Sequence, residues 1–139
     1  MIVVAAILRD TRGRCFVGER AHGAYAGTWE FPGGKVEPGE SDFLALLREL
    51  IEEGIVDGAG VSVGASPVYS AQLQLASGAP FTIRHYLTHA PRVNQHPPLE
   101  GASHRAFRWV SWEDLRGLPV GSLSPGMAAI LASLPYGVV

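Results

Sequence analysis

The fold is decided by residues 33–55, which read GGKVEPGESDFLALLRELIEEGI. With about 100° of rotation per residue, the second half of this stretch forms an amphipathic helix. Ser41 is a suitable N-cap and Asp42 lies in the first turn, so the start of the helix is well defined. One side of the helix is apolar and contains Phe43, Leu44, Leu46, Leu47, Leu50 and Ile51.

The other side of this helix carries Glu49, Glu52 and Glu53. A solvated polar face is the ordinary interpretation of helix carboxylates. Here, however, the i,i+3 and i,i+4 spacings place like charges together, at a few tenths of a kcal/mol per pair. The helix macrodipole also disfavours negative charge in the C-terminal half, and residues 41–53 contain no Lys. A divalent cation would offset both penalties, and Mg²⁺ prefers carboxylate and phosphate oxygens.

The segment before the helix, residues 29–35, reads WEFPGGK and supplies a complementary element. Paired glycines allow the backbone to approach a ligand closely, and the neighbouring Lys35 can neutralise a phosphate. Pro-Gly-Gly alone would be an ordinary turn. Next to a helix that carries three carboxylates, it predicts a phosphate-binding loop.

These residues resemble the Nudix hydrolase signature. The matching positions, at their required spacings, are Gly34, Glu40, Arg48, Glu49, Leu50, Glu52 and Glu53. One position departs from the signature, because Gly54 follows Glu53 directly where the family has one intervening residue. Either one residue is deleted, or the helix takes its C-terminal Gly one position early.

The resemblance implies an α/β/α sandwich in which a mixed, curved sheet lies between this helix and a C-terminal helix. Periodicity alone supports only an α/β or α+β domain. By analogy with the family, Mg²⁺, or Mn²⁺ in its place, is held by four groups, and Lys35 faces the phosphates while Arg48 orients a carboxylate. The four groups are the Gly33 carbonyl and the side chains of Glu49, Glu52 and Glu53.

Loop residues complete the expected site. A general base would come from Glu53, Glu49 or Glu100, which the sequence does not separate because clustered carboxylates titrate together. Glu100 is the only carboxylate in the irregular segment 91–105, and its ordinary interpretation is a solvated acid. Arg20 and Tyr25 are candidate nucleotide contacts, with plain surface residues as the alternative.

The implied activity is hydrolysis of a phosphoanhydride in a nucleotide small molecule. The short chain and residues 27–37 resemble the MutT-like branch, which converts nucleoside triphosphates to monophosphates and pyrophosphate. Relatives specific for oxidised guanine carry an Asn near the last helix, whereas residues 123–127 read LSPGM, which argues against 8-oxo-dGTP. The alternatives are hydrolysis of ADP-ribose or dinucleoside polyphosphates, and a non-catalytic nucleotide-binding module.

Composition excludes several other classes. The 139 residues suit one domain, 1–139, and 11 basic against 13 acidic residues provide no basic surface for nucleic-acid polymers. The single Cys15 suits a reducing compartment and a buried position. The apolar start lacks a basic segment and is too short to span a bilayer, so we expect a cytoplasmic protein, monomeric or homodimeric, that does not bind membranes.

The remaining chain predicts strands and two further helices. Residues 2–8 and 14–19 predict a hairpin around the turn at Asp10 to Gly13, and residues 61–68, 69–76, 81–89 and 107–111 predict further strands. A helical turn follows at residues 112–115. A final helix begins at Ser124-Pro125 and carries an apolar stripe of Met127, Ile130, Leu131 and Leu134.

The histidines predict no metal site. His85 and His89 are about 13 Å apart along a strand and are interpreted as ordinary sheet residues. His96 and His104 are expected in a loop, without partners at zinc-binding spacing.

Overall fold

A mixed sheet forms the centre of the molecule in the computed structural model, which describes residues 1–138. Its central strands, β1 (Ile2–Leu8) and β7 (Pro80–His89), run parallel, with Ile2 opposite Thr82. Antiparallel neighbours complete the sheet and confirm its mixed character: β4 (Gly33–Lys35) on β1, and β5 (Ser62–Val63) and β6 (Tyr69–Gln74) on β7.

A second, antiparallel sheet is formed by β2 (Cys15–Arg20), flanked by β3 (Trp29–Glu30) and β8 (His104–Val110). The predicted hairpin between residues 2–8 and 14–19 is therefore wrong. The turn itself forms, with Gly13 N donating to Asp10 O at 3.1 Å, but the two strands share only the Arg9–Cys15 bridge. They diverge because β1 already has a partner on each edge, β4 and β7.

Strand β1 packs on both faces, as expected for the centre of a sandwich. Val4, Ala6 and Leu8 lie in one apolar cluster with α1 (Asp42–Glu52). Ala5 and Ile7 lie in the other cluster, with α3 (Pro125–Ser133). This arrangement confirms the predicted sandwich, in which the mixed sheet separates the two helices.

Helix α1 begins as predicted, since the Ser41 side chain accepts a hydrogen bond from Leu44 N at 3.2 Å. At its end, Gly54 has φ 72°, Gly54 N donates to Ile51 O at 2.9 Å, and Ile55 N donates to Leu50 O at 3.0 Å. This pair of bonds is a Schellman cap. The helix therefore takes its closing Gly one position early.

Only part of the apolar side of α1 is buried. Leu46 and Leu50, together with Ala45, pack in the core. In contrast, Phe43, Leu44 and Ile51 are 41%, 53% and 44% exposed. The apolar arc is wider than the surface against which the helix packs.

Two other strand predictions were inaccurate. Of residues 61–68 only Ser62–Val63 form a strand. Gly64 N still donates to Leu87 O of β7 at 3.0 Å, but Pro67 has no N–H to donate, and regular pairing does not continue. His104 begins β8 instead of lying in a loop. The turn between β6 and β7 is confirmed, with Gly78 at φ 87°.

The C-terminal predictions are confirmed. Helix α2 (Trp112–Arg116) is capped by Ser111, and α3 is capped by Ser124 with Pro125 at its start. Cys15 is buried as predicted, and burial raises the pKa of its thiol to about 11. Within residues 1–138, no helix combines the length and apolarity that crossing a bilayer requires.

Candidate active site

Arg48 is the centre of a hydrogen-bond network on α1. Its Nε and Nη2 donate to Glu40 Oε2 and Oε1 at 2.7 and 2.9 Å, and Nη2 also donates to Lys35 O at 3.0 Å. Nη1 donates to Glu49 Oε1 at 2.9 Å and to Glu52 Oε2 at 3.4 Å. The helix carboxylates are thus partly neutralised by a cation on their own helix.

Glu40 connects this network to the preceding loop. Its Oε1 also accepts a hydrogen bond from Glu37 N at 2.8 Å. Hydrogen bonds from Arg48 and from the Glu37 backbone lower the pKa of the Glu40 carboxyl group to about 2. An ionised Glu40 therefore holds the loop against α1 and fixes the guanidinium of Arg48.

The two glycines of β4 have different roles. A Cβ on Gly33 would overlap the carbonyl oxygen of Val4, so Gly33 is required for the pairing of β4 with β1. A Cβ on Gly34 would overlap the carboxyl group of Glu49. Gly34 thus leaves the space that the Glu49 carboxylate occupies. Burial raises the pKa of Glu49, although its hydrogen bond from Arg48 acts in the opposite direction.

Glu53 is the most enclosed of the helix carboxylates. Its side chain is 13% exposed, and Oε2 is buried without a hydrogen-bond partner in the described chain. Burial, followed by the nearby charges of Glu49 and Glu30, raises its pKa to about 8. A carboxyl group in this position gains strongly from a cation that shares its oxygens.

A chain of polar groups lies beside Glu53, and two of its members, Glu30 and the buried His104, were not predicted as site residues. His104 Nε2 donates to Glu30 Oε1 at 2.8 Å, and Arg20 Nη1 donates to the same oxygen at 3.1 Å. His104 Nδ1 lies 3.9 Å from Glu53 Oε1. A Cβ on Gly18 would lie 2.6 Å from the His104 ring, so this Gly makes room for it.

The carboxylates border a cleft of about 300 Å³. The structure brings Glu49, Glu52, Glu53 and Glu100 together around it, with Glu100 exposed on the opposite wall. That wall is attached to the end of α1, because Asn94 Nδ2 donates to Gly54 O at 3.2 Å and Asn94 N donates to Ile55 O at 2.8 Å.

A second cleft, of about 310 Å³ and largely apolar, lies on the other side of β4. The three residues predicted to contact substrate, Arg20, Tyr25 and Lys35, all line it. An inner cavity of about 80 Å³ continues from it. The two spaces have common walls at Val3, Arg20, Glu30, Gly34, Ile83 and Ser124. Because Gly34 also abuts Glu49, the apolar and carboxylate clefts are neighbours.

The donor groups suit a hard divalent cation. Glu49, Glu52 and Glu53 line the carboxylate cleft, whereas Gly33 lines the inner cavity. The unpartnered Oε2 of Glu53 lacks the positive partner that a buried carboxylate requires, and oxygen donors of this kind suit Mg²⁺. Within residues 1–138, no three His, Cys, Asp or Glu side chains are already gathered in a geometry that would hold a metal. Arg48 accounts for this, since it draws Glu49 and the 59% exposed Glu52 toward itself.

Known proteins share this sequence and fold. The NUDIX domain profile matches residues 1–134. A CTP pyrophosphohydrolase of Escherichia coli K12 is 34% identical over 121 residues, covering 86% of this chain and 83% of that protein. A putative 8-oxo-dGTP diphosphatase 2 of Mycobacterium tuberculosis is 35% identical over 111 residues, covering 77% and 70%.

Solved structures share the fold of this chain. The E. coli ORF135 protein, solved in solution, superposes with a TM-score of 0.68 at 33% identity, covering 97% of this chain and 90% of that one. The MutT protein of Methanosarcina mazei Go1 has a TM-score of 0.73 at 22% identity, covering 99% and 96%, and shows the common fold. The chain belongs to the NUDIX family and is a Nudix hydrolase.

Proposed function

We propose that the protein hydrolyses nucleoside or deoxynucleoside triphosphates to the monophosphate and pyrophosphate. The observation that carries this proposal is the proximity of two clefts on either side of Gly34. One is apolar and large enough for a nucleoside, and the other is lined by carboxylates. A nucleotide whose base occupies the first can extend its phosphates toward the second.

Glu49, Glu52, Glu53 and the Gly33 carbonyl would hold Mg²⁺, or Mn²⁺ in its place. When bound, the cation would neutralise charge on the phosphate chain, whose oxygens otherwise repel an incoming water. Arg48 keeps Glu49 oriented toward Gly34 through its 2.9 Å hydrogen bond. This bond limits the conformations of the carboxylate before substrate arrives.

Lys35, Arg20 and Tyr25 would contact the nucleotide. Lys35 follows the two glycines and is exposed at the edge of the apolar cleft, where its ammonium group can meet a phosphate. The Tyr25 hydroxyl accepts a hydrogen bond from Ala76 N at 2.7 Å, which fixes the ring at the border of the cleft. Arg20 is oriented by Glu30.

The general base is proposed to be one of Glu53, Glu49 and Glu100. Water adds to one phosphorus of the anhydride, a P–O bond to the bridging oxygen breaks, and the proton lost by water passes to this carboxylate. All three carboxylates border the same cleft. Glu53 and Glu49 are enclosed, whereas Glu100 is exposed, so substitutions of Glu100 can be tested without disturbing the helix.

We propose that the nucleobase of the substrate is not 8-oxoguanine. The start of α3 presents Ser124, Pro125 and Gly126 to the apolar cleft, and Met127 to the inner cavity. The chain contains a single Asn, Asn94, which is hydrogen-bonded to Gly54 at the end of α1. A polar amide for oxidised guanine is thus missing from α3, and the similarity to a CTP pyrophosphohydrolase favours cytosine instead.

The test is release of pyrophosphate and phosphate from a panel of ribonucleotides and deoxyribonucleotides with Mg²⁺. We expect pyrophosphate from triphosphates and a loss of about 10³-fold in kcat for Glu53→Gln. Glu113→Gln, on the first turn of α2, is the matched control and should retain activity. Glu100→Gln tests which carboxylate is the general base. A loss of kcat as large as that of Glu53→Gln would assign this role to Glu100 in the loop.

Other outcomes would contradict the proposal. Cleavage of ADP-ribose or a dinucleoside polyphosphate, with triphosphates untouched, would change the substrate while retaining the carboxylate cleft. Nucleotide binding without any hydrolysis would instead indicate a binding module.

A further inference from the structure

His85 is a buried polar residue that the proposed reaction does not use. It lies on β7 and is 1% exposed, and its Nδ1 has no hydrogen-bond partner in the described part of the chain. Burial lowers the pKa of the imidazole to about 4, so the ring is neutral near neutral pH. An unpaired buried nitrogen is destabilising, typically by about 1–3 kcal/mol, and therefore requires an explanation.

The ring borders empty space that connects to the apolar cleft. His85 lines the inner cavity of about 80 Å³, which has walls in common with the larger cleft at Ile83 and Ser124. Phe31 contacts the ring edge-on, with centroids 5.6 Å apart, and Tyr69 packs at 5.9 Å. These aromatic contacts hold the imidazole in place.

The other polar groups of the cavity complement the imidazole. Glu30 accepts from both Arg20 and His104 through Oε1. As a carboxylate it can only accept hydrogen bonds, whereas neutral imidazole offers one donor and one acceptor. Glu30 and His85 both line the cavity, so a ligand with one donor and one acceptor on the same edge matches the two side chains.

We propose that His85 is a specificity-determining residue that hydrogen-bonds the edge of a pyrimidine base carrying an exocyclic amine, as in cytosine. This inference rests on the proposed function and specifies its substrate class. The amine would donate to Glu30, and the adjacent ring nitrogen would accept from His85.

Hydrogen bonding and size exclude the other bases for different reasons. Uracil has a carbonyl where cytosine has its amine, so an oxygen would face the Glu30 carboxylate. The inner cavity of about 80 Å³ is smaller than a whole base, so only the edge of a base can enter it. Adenine has the same amine and ring-nitrogen edge as cytosine, and His85 and Glu30 therefore do not distinguish the two. Discrimination against uracil therefore depends on His85 and Glu30, while discrimination against the larger, two-ring adenine depends on the apolar cleft that would hold the ring.

The test is binding of CMP, UMP and AMP to the wild type and to His85→Phe, measured by calorimetry. Phe retains an aromatic ring between Phe31 and Tyr69 but cannot hydrogen-bond. We expect the preference for CMP over UMP to fall about tenfold, while the preference for CMP over AMP stays within about twofold. Tyr69→Phe is the control, because Tyr69 packs against the His85 ring but does not line the cavity. Loss of its hydroxyl should change neither preference.

A second measurement uses the wild-type protein, so that misfolding of a variant cannot hide the answer. The ¹⁵N resonances of the His85 ring should shift on addition of CMP and much less on addition of UMP. An unchanged spectrum, or an unchanged CMP preference in a folded His85→Phe, would overturn the proposal and leave His85 as a core residue. Binding of monophosphates requires no hydrolysis. Failure of the triphosphatase proposal would therefore appear separately, as absence of pyrophosphate release by a wild type that still prefers CMP.

Discussion

The carboxylate cleft and the apolar cleft lie on opposite sides of Gly34 and are built in different ways. In the first, one guanidinium, that of Arg48, donates hydrogen bonds to three carboxylates and a backbone carbonyl. The walls of the second are mostly apolar. Two buried nitrogens, Arg20 Nε on its wall and His85 Nδ1 at the inner cavity that continues from it, have no partner among the described residues. The first cleft thus orients charge before substrate binds, whereas the second has few polar groups and leaves some of their atoms without partners.

Gly33→Ala should have the largest effect, because it disturbs the wall on which both clefts depend. The added Cβ would overlap the carbonyl oxygen of Val4, and backbone in the middle of a sheet cannot move aside easily. We expect a loss of about 4 kcal/mol or more in the free energy of unfolding, with a fall in soluble yield. Urea denaturation measures the change. A variant as stable as the wild type would show that β4 does not need its close approach to β1.

Gly34→Ala should separate activity from stability. Its Cβ would overlap only the end of the flexible Glu49 side chain, which can rotate away. We expect a loss of less than about 1 kcal/mol in stability but about 10²-fold in kcat, because Glu49 leaves its position in the carboxylate cleft. Gly121→Ala, which meets nothing within 4 Å, is the matched control. Equal activity of the two variants would show that the position of Glu49 does not matter for the reaction.

Acid should destabilise the protein through His85, at the inner cavity that continues from the apolar cleft. The His85 pKa is about 4 in the folded protein against an ordinary 6.5, so the unfolded chain takes up a proton first as the pH falls. This contribution to stability is complete above pH 6.5 and is lost progressively between 6.5 and 4. At about pH 5 the loss should reach about 2 kcal/mol.

Urea denaturation of the wild type and His85→Phe at about pH 7.5 and about pH 5 isolates this contribution from those of other groups. The difference in unfolding free energy between the two proteins should shift by about 2 kcal/mol in favour of the variant at the lower pH. A constant difference would mean that the ring titrates in the folded protein with its ordinary pKa, and a shift in favour of the wild type would mean that the ring is protonated when folded.

The two clefts also differ in how far the sequence predicted them. Ser41, Arg48 and Gly54 act on neighbours within a few positions, so the helix, its cap and the identity of its carboxylates could be predicted from spacing. The position of Gly54 left two alternatives, a deleted residue or an early helix cap, and only the backbone geometry separated them.

The positions of the residues around the inner cavity depend on contacts between strands that are distant in the sequence, and residue spacing does not reveal these contacts. His104 meets Glu30 only because β8 pairs with β2, and a register shift between Glu19 and Arg20 brings Arg20 opposite His104. His85 is embedded in an ordinary strand sequence, and nothing in that sequence indicates that its Nδ1 is unpaired. The false hairpin has the same origin, because the pairing of β1 with β7 spans about half the chain.

Gly54→Ala should have the smallest effect and tests whether the early helix cap contributes to the carboxylate cleft. With φ at 72°, the Ala would cost about 1 kcal/mol, and its Cβ would lie 3.0 Å from Pro98 on the wall that carries Glu100. Gly78→Ala is the matched control, because Gly78 has a similar φ of 87°, has no atom within 4 Å of an added Cβ, and lines neither cleft. We expect similar losses of stability in the two variants, measured by thermal denaturation, and a several-fold loss of kcat only in Gly54→Ala. If kcat is unchanged in both, the position of the 91–105 segment is not set by the helix cap, and Glu100 does not depend on it.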